Sequence, residues 1–320
     1  MARVAIAMDN RETLRDIDHS QDPLVSVMIT SYNQKDIIWR AIESVLGQTF
    51  QNIQIVIADD SSTDGSQELL KEFSRKYPNK IKLVLSSFNQ GIARNKNNGF
   101  RNCDGEFITY LDGDDYYFPG KIARELEALY LNPQADIVYS NFVYVDGDGK
   151  LIKIWKDESH TVPVGNIFEY VYARRFPHEN LFRCELMKAK LLQEMGFYDE
   201  SLKTHEDWDL RIRMSKKFYF AYSDYIGSAY VNNPCGISKI LERKKLIENI
   251  KLVIQKNKHL LKDLPFNKRI SILRNLEIIA TRKELAVKTA PFTIELLKYL
   301  LISGDLMFLK NHLKRYLKKD

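Results

Sequence analysis

With 320 residues, 44% of them hydrophobic, and no repeat or low-complexity tract, the chain reads as one large or two modest globular domains, which excludes fibrous and disordered classes. Its three cysteines, Cys103, Cys184 and Cys235, form no C-x-x-C pair, and no apolar run approaches the roughly 18 residues of a spanning helix, so zinc, disulfides and membrane insertion are not expected and a cytoplasmic location is. Charge is uneven: residues 239–320 hold 20 Lys and Arg against 8 Asp and Glu, a net of +12, which leaves a net of −6 for residues 1–238.

Residues 1–23 are polar and mixed in charge and read as an N-terminal arm. Val25 to Thr30 is apolar enough for a strand inside a sheet, and it ends at Ser31-Tyr32-Asn33. Ile37, Ile38, Ala41, Val45 and Leu46 then recur at helical spacing, and Gly47 closes that helix. A second strand, Ile53 to Ala58, runs into Asp59-Asp60-Ser61-Ser62, and a helix with Leu69, Leu70 and Phe73 on one face follows. Ile81 to Leu85 is a third strand, Gly91 to Phe100 a helix, and Glu106 to Leu111 a fourth strand. Pro119 suits the first turn of the next helix, whose core face is Ile122, Leu126 and Leu129. This alternation implies βαβ units and a mostly parallel sheet, in which ligands bind beyond the carboxyl ends of the strands.

The fourth strand ends in Asp112-Gly113-Asp114-Asp115. Carboxylates crowded at the tip of a buried strand call for positive compensation, and hard oxygen ligands suit Mg²⁺ or Mn²⁺. In an extended segment Asp112 and Asp114 would point to the same side, and Gly113 would leave room for a ligand. The bland alternative is a solvated Asp-Gly turn. The clustering of Tyr32, Asn33, Asp59 and Asp60 at neighbouring strand ends favours the site.

Beyond residue 136 the pattern changes to two strands, Asp136 to Val145 and Leu151 to Trp155, around an Asp146-Gly147-Asp148-Gly149 turn. Tyr32 could stack a base and Asp60 accept from a base N–H, against a half-buried aromatic and a helix-cap carboxylate. Arg94, early in its helix, could pair with a phosphate, against a plain surface arginine. Glu206-Asp207-Trp208-Asp209 opens an amphipathic helix, and capping accounts for one acid rather than three. A carboxylate there could act as general base towards a hydroxyl. No G-x-G-x-x-G or P-loop is present.

Taken in order, Val27 to Asn33, Ser44 to Thr49, Ile57 to Asp64, Asn89 to Asn95, Leu111 to Asp115 and Glu206 to Leu210 resemble the family 2 glycosyltransferases of GT-A fold, over about residues 24–238. The resemblance implies an α/β GT-A domain and an inverting transfer from a nucleotide-diphospho-sugar, often UDP-linked, with Mn²⁺ or Mg²⁺. It implies that Thr30, Tyr32, Asn33 and Asp60 line the nucleotide pocket and that Arg94, Asp112 and Gly113 lie by the nucleotide-sugar. Asp114, with Asp112, would hold the metal. Asp207 would be the base, with Glu206 its neighbour. The pattern departs from the family after the acceptor motif: Tyr230 to Ser238 contains neither the Arg nor the His that many relatives carry, leaving water or Asn233 for a third metal contact.

Residues 239–320 follow helical spacing, and the last segment pairs Leu296, Leu300, Leu313 and Leu317 with Lys298, Lys310, Lys314, Arg315 and Lys318. A basic amphipathic extension fits either packing on the catalytic domain or peripheral contact with an anionic inner membrane face, which a lipid-linked acceptor would make sensible. Nucleic acid is not expected, since no recognition motif accompanies the charge. The function expected is therefore metal-assisted sugar transfer to a glycan or lipid-linked acceptor. The alternative is a nucleotide- or glycan-binding module of the same fold without turnover, and Asp112, Asp114 and Asp207 together argue against it. A sugar nucleotidyltransferase would show a Gly-rich signature with Arg and Lys at the first strand end, where this chain has Ser31-Tyr32-Asn33-Gln34.

Overall fold

The computed structural model describes residues 23–233 and 243–282. The chain runs β1 (Val25–Ser31), α1 (Ile38–Leu46), β2 (Ile53–Asp59), α2 (Ser66–Lys76), β3 (Ile81–Leu85), α3 (Ile92–Phe100) and β4 (Phe107–Asp112). These are the expected βαβ units. β1 pairs in parallel with both β2 and β4, and β2 pairs in parallel with β3. Every residue of β1 is buried, which is why it reads as an unbroken apolar run rather than an alternation.

A short β5 (Tyr116–Tyr117) and α4 (Lys121–Leu131) follow. Ile122, Leu126 and Leu129 are buried on α4 as expected. Pro119, expected in its first turn, precedes the helix: Gly120 occupies the cap, and the Pro119 carbonyl accepts from Thr49 N–H at 2.9 Å. The hairpin β6 (Ile137–Val145) and β7 (Leu151–Ile154) pairs antiparallel around the Asp146–Gly149 turn. Then come α5 (Phe168–Ala173), β8 (Leu186–Lys188), α6 (Ala189–Glu194), α7 (Glu206–Lys217) and β9 (Phe220–Val231).

The nine strands among the described residues form one sheet, in the order β3-β2-β1-β4-β8-β6-β9-β5, with β7 paired to β6 off this path. The sheet is parallel through its first four strands and mixed beyond, because β8 enters antiparallel to both β4 and β6. β9 returns parallel to β6, with register shifts between Ser140 and Phe142.

From the C-terminal extension, α8 (Arg243–Asn257) and α9 (Phe266–Arg282) pack against α7 and α5, and Val253, Ile254, Leu261, Ile272 and Leu276 join the main core. Polar ties seal the contact: Asn257 donates to Asp209 at 2.7 Å, Tyr172 Oη donates to the Ile254 carbonyl at 3.1 Å, and Lys256 pairs with Asp199 and Asp209. The packing alternative thus holds for residues 243–282. The arm up to residue 22, the boundary near residue 238 and the basic segment from Leu296 to Lys318 lie outside the described residues. No helix among the described residues is long and apolar enough to cross a membrane.

Candidate active site

The carboxyl ends of β1, β2 and β4 meet at one edge of the sheet. Asp60, just past β2, is buried and accepts the backbone N–H groups of Gln90 and Gly91, each at 2.8 Å. This pins the loop that enters α3, where Gly91 takes φ 89°. Asn33 stands in a left-handed conformation, φ 51°. Its N–H donates to Ser62 Oγ and its Oδ1 accepts from Thr63 N–H, at 2.8 and 2.9 Å, so it ties the β1 loop to the β2 loop. Tyr32 beside it is 47% exposed, a ring available at the mouth of the site. Thr30 Oγ1 lies 3.4 Å from Asp112 Oδ1.

Asp112 is the last residue of β4, and the chain turns at once, with Asp115 N–H donating to the Asp112 carbonyl at 2.9 Å. The extended Asp-x-Asp geometry expected from sequence is therefore replaced by a strand end plus a turn. Gly113 is also required by close packing. A Cβ there would lie 2.3 Å from Gln34 Oε1, 2.4 Å from the Thr30 carbonyl oxygen and 2.5 Å from Ile38 Cδ1, so the close neighbours are the end of β1 and the start of α1.

Two cations that sequence reasoning did not single out organise the carboxylates. Lys96, on the inner face of α3, is buried and lies 3.5 Å from Asp112 Oδ1 and 3.1 Å from Glu206 Oε1, with the Tyr110 and Tyr198 rings 5.1 and 5.5 Å away. Arg183, from the segment before β8, donates to Asp112 Oδ2 at 2.8 Å and Asp115 Oδ2 at 2.9 Å, and sits 4.4 Å over the Tyr230 ring. Burial opposes charge on all of them. The two cations nevertheless hold Asp112 below the ordinary carboxylate range, while the carboxylates hold Lys96 and Arg183 well above theirs. Arg94, expected by the nucleotide, points from α3 to Glu200 at 2.8 Å and is half-exposed, outside this cluster.

The opposite wall is the start of α7. His205 precedes it with φ 61°, which turns the chain so that Glu206 and Asp207 face the sheet edge. Glu206 is buried against Lys96, and burial raises its pKa despite that partner. Asp207 keeps more than a third of its side chain exposed. Its Oδ1 accepts from Trp208 N–H at 2.8 Å and its Oδ2 pairs with Arg211 at 2.5 Å. Although burial pushes the other way, Arg211, Lys96, His205 and Arg174 hold Asp207 well below the usual carboxylate range. Arg211 is fixed in turn by Glu185, at 2.9 and 3.0 Å, and by Tyr110 Oη at 2.5 Å. Asp209, the third acid of the motif, is fully buried and belongs to the contact with α8.

The resulting cluster sets Asp112, Asp114, Asp115, Glu185, Glu206 and Asp207 against Lys96, Arg174, Arg183 and Arg211, a formal excess of two negative charges. Burial and mutual repulsion push Asp114 up, and Asp115 further. A divalent cation would find hard oxygens on Asp114, whose Oδ2 accepts from Asn233 Nδ2 at 3.3 Å, while Asp112 would join it by giving up contacts with Lys96 and Arg183. Among the described residues no group of three or more His, Cys, Asp or Glu side chains has the geometry of a complete metal site. Mg²⁺-type sites need none, since such ions bind through one or two carboxylates and take the rest of their shell from substrate phosphates and water.

A family profile described as glycosyl transferase family 2 matches residues 26–197, more than half of the chain. An uncharacterized glycosyltransferase of Rickettsia felis is 32% identical over 192 residues, which cover 59% of this chain and 31% of the relative. One from Rickettsia prowazekii is 30% identical over 212 residues, covering 64% of each. The chain spans about a third or less of the first three curated relatives it matches. Among solved structures, S. aureus TarS 1–349 in complex with UDP aligns with a TM-score of 0.60 at 19% identity, over 83% of this chain and 76% of that one. The mannosyltransferase PcManGT from Pyrobaculum calidifontis, in complex with GDP-Man and Mn²⁺, aligns at 0.55 and 16% identity over 100% and 94%. These likenesses bear out the α/β GT-A-type fold.

Proposed function

Because the chain belongs to glycosyl transferase family 2, we propose that it moves a sugar, with inversion, from a UDP-linked donor to a hydroxyl of a glycan or lipid-linked acceptor in polysaccharide or glycoconjugate assembly. The observation that carries this reading is the Lys96 bridge. It joins the strand end bearing Asp112 to the helix start that presents Asp207, so a donor phosphate side and an acceptor side face each other across one buried cation. UDP is chosen as the donor nucleotide because TarS 1–349, which is similar in fold, was solved in complex with UDP and with UDP-GlcNAc. GDP is the natural control, since PcManGT was solved in complex with GDP-Man.

In this account Asp60, Asn33, Thr30 and Tyr32 hold the nucleotide, Tyr32 by stacking on the base. Asp114 and Asp112 would hold Mn²⁺ or Mg²⁺, which supplies electrostatic stabilisation of the leaving nucleoside diphosphate. The acceptor oxygen attacks the anomeric carbon while the bond to the diphosphate breaks, and the electron pair leaves with the nucleoside diphosphate. The acceptor proton passes to Asp207. A single displacement of this kind inverts the anomeric centre. Its greater exposure is the reason for preferring Asp207 to Glu206, which is buried against Lys96.

The test is nucleotide release from a panel of UDP- and GDP-sugars by the full chain with Mn²⁺, alongside Asp207→Asn. Release from a UDP-sugar that the wild type shows and the variant lacks supports the reading, and release confined to GDP-sugars, or equal in both proteins, overturns it. Peripheral membrane contact through the basic segment beyond residue 282 rests on its charge pattern. Protein that stays wholly soluble in a flotation assay with anionic liposomes would contradict that contact.

A further inference from the structure

A cavity of about 610 Å³ lies away from the strand-end cluster, between the loop after β7 and the turn after α5. Ser159, His160 and Thr161 line one side, and Arg175, His178 and Glu179 the other. We propose that this cavity binds a sugar unit of the acceptor, next to the unit whose hydroxyl meets Asp207. The inference rests on the transferase reading above.

Three observations support it. The first is continuity with the catalytic wall. Arg174, adjacent in sequence to the cavity-lining Arg175, lies 5.2 Å over the ring of Trp208, the residue that follows Asp207. The second is backbone conformation. Arg174, His178 and Glu179 take φ of 54°, 56° and 58°, a left-handed region that non-glycine residues adopt only when their surroundings impose it, and such residues collect at binding sites. Here the surroundings do impose it: Arg175 N–H donates to the Tyr170 carbonyl, Glu179 N–H to the Phe176 carbonyl, and the Arg175 guanidinium is anchored to Ser271 of α9.

The third is the chemistry of the lining. Asp157 holds His160 Nδ1 at 2.6 Å, which leaves Nε2 for a ligand, and the His178 ring lies 5.1 Å from the His160 ring. Hydroxyls, imidazoles and a carboxylate serve both donors and acceptors, and Phe176 and Pro177 add an apolar surface. A sugar ring, with hydroxyl edges and C–H faces, matches that mixture. A free phosphate fits less well, because the Glu179 carboxylate lines the cavity and one guanidinium nitrogen of Arg175 is already bonded to Ser271. A metal fits less well too, since no group of three or more ligating side chains occurs among the described residues.

The test is saturation-transfer NMR on the full chain with p-nitrophenyl glycosides of glucose, galactose, mannose and N-acetylglucosamine. At least one glycoside should receive saturation on its ring protons. That signal should fall about fivefold in Glu179→Gln, which removes the charge that strengthens a hydrogen bond from a sugar hydroxyl, and in His178→Asn, which removes about one hydrogen bond. Asparagine is chosen at position 178 because it tolerates the left-handed backbone. Thermal melting of each variant checks folding, and Glu179→Gln, which keeps shape, carries the test if the other variant unfolds. Asp114→Ala should leave the glycoside signal intact while abolishing nucleotide binding, so a failed donor reading is distinguishable from a failed acceptor site. No transfer to any glycoside, or equal transfer in wild type and both cavity variants, overturns the proposal.

Discussion

Replacing Lys96 by methionine keeps the length and apolar stem of the side chain and removes its charge. The ammonium is buried between Asp112 and Glu206, whose side chains are themselves 22% and 8% exposed. Breaking a buried ion pair by deleting one partner costs about 3–5 kcal/mol, because the other charge stays buried without compensation. For a domain of this size that corresponds to a drop in Tm of about 6–20 °C. The cost should depend on pH with a defined sign. Burial raises Glu206 above its ordinary value already, and without Lys96 it rises further. A neutral Glu206 needs no counter-charge, so the Lys96→Met penalty should shrink as pH falls through the carboxylate range. Adding Glu206→Gln should recover part of the loss at neutral pH. The assay is thermal and urea unfolding of wild type, both single variants and the double variant. A Lys96→Met effect within about 0.5 kcal/mol of zero, the ordinary range for surface changes, or no rescue by Glu206→Gln, would refute the bridge as the organiser of the site.

Asp207→Asn should lower turnover by about 10²–10⁴-fold, the usual worth of a general base, with donor binding retained. Since Asp207 is held below the ordinary carboxylate range, the acid limb of the rate profile should lie below that range too, and a limb near neutrality would point to another base. Gly113→Ala should cost about 1–3 kcal/mol in stability, because its Cβ meets the Thr30 backbone carbonyl as well as two side chains, and a melt indistinguishable from wild type would contradict that contact. Asp199, lowered to about 2 by Lys256 and Ser201 against the opposing effect of burial, stabilises the docked α8 above the unfolded carboxylate value of 3.8. That contribution should be lost as pH falls from about 3.8 towards 2, and hydrogen exchange in residues 243–257 should rise in that window in wild type but not in Asp199→Asn.

Much of the fold was legible because the first half is built from buried parallel strands, whose apolar runs and intervening helical spacing leave few alternatives. β9 was not, because Ser223-Asp224 interrupts its apolar pattern and it follows β6 only through shifted register. The carboxylate positions could be read at the strand ends, but their partners could not. Lys96 did carry a signal: with Ala93, Asn97 and Phe100 it occupies the spacing of a buried helix face, all four being buried, and a lysine there needs counter-charges. Arg183, between Phe182 and Cys184 in a largely apolar run, carried the same signal more faintly. Arg94 attracted attention through its neighbours Gly91 and Asn95, yet its helical position turns it towards Glu200. No spacing rule reveals a turn such as the one at His178 and Glu179, whose left-handed residues depend on tertiary anchoring.

The central claim is that Asp112 and Asp114 present a metal-assisted nucleotide site. Calorimetric titration of UDP, with GDP as control, tests it most directly, in Mn²⁺ and then in EDTA, on wild type and Asp114→Ala. The account predicts UDP binding that requires the metal and vanishes in the variant. UDP binding that is unchanged by EDTA and by Asp114→Ala, or no binding of UDP at all, would contradict it.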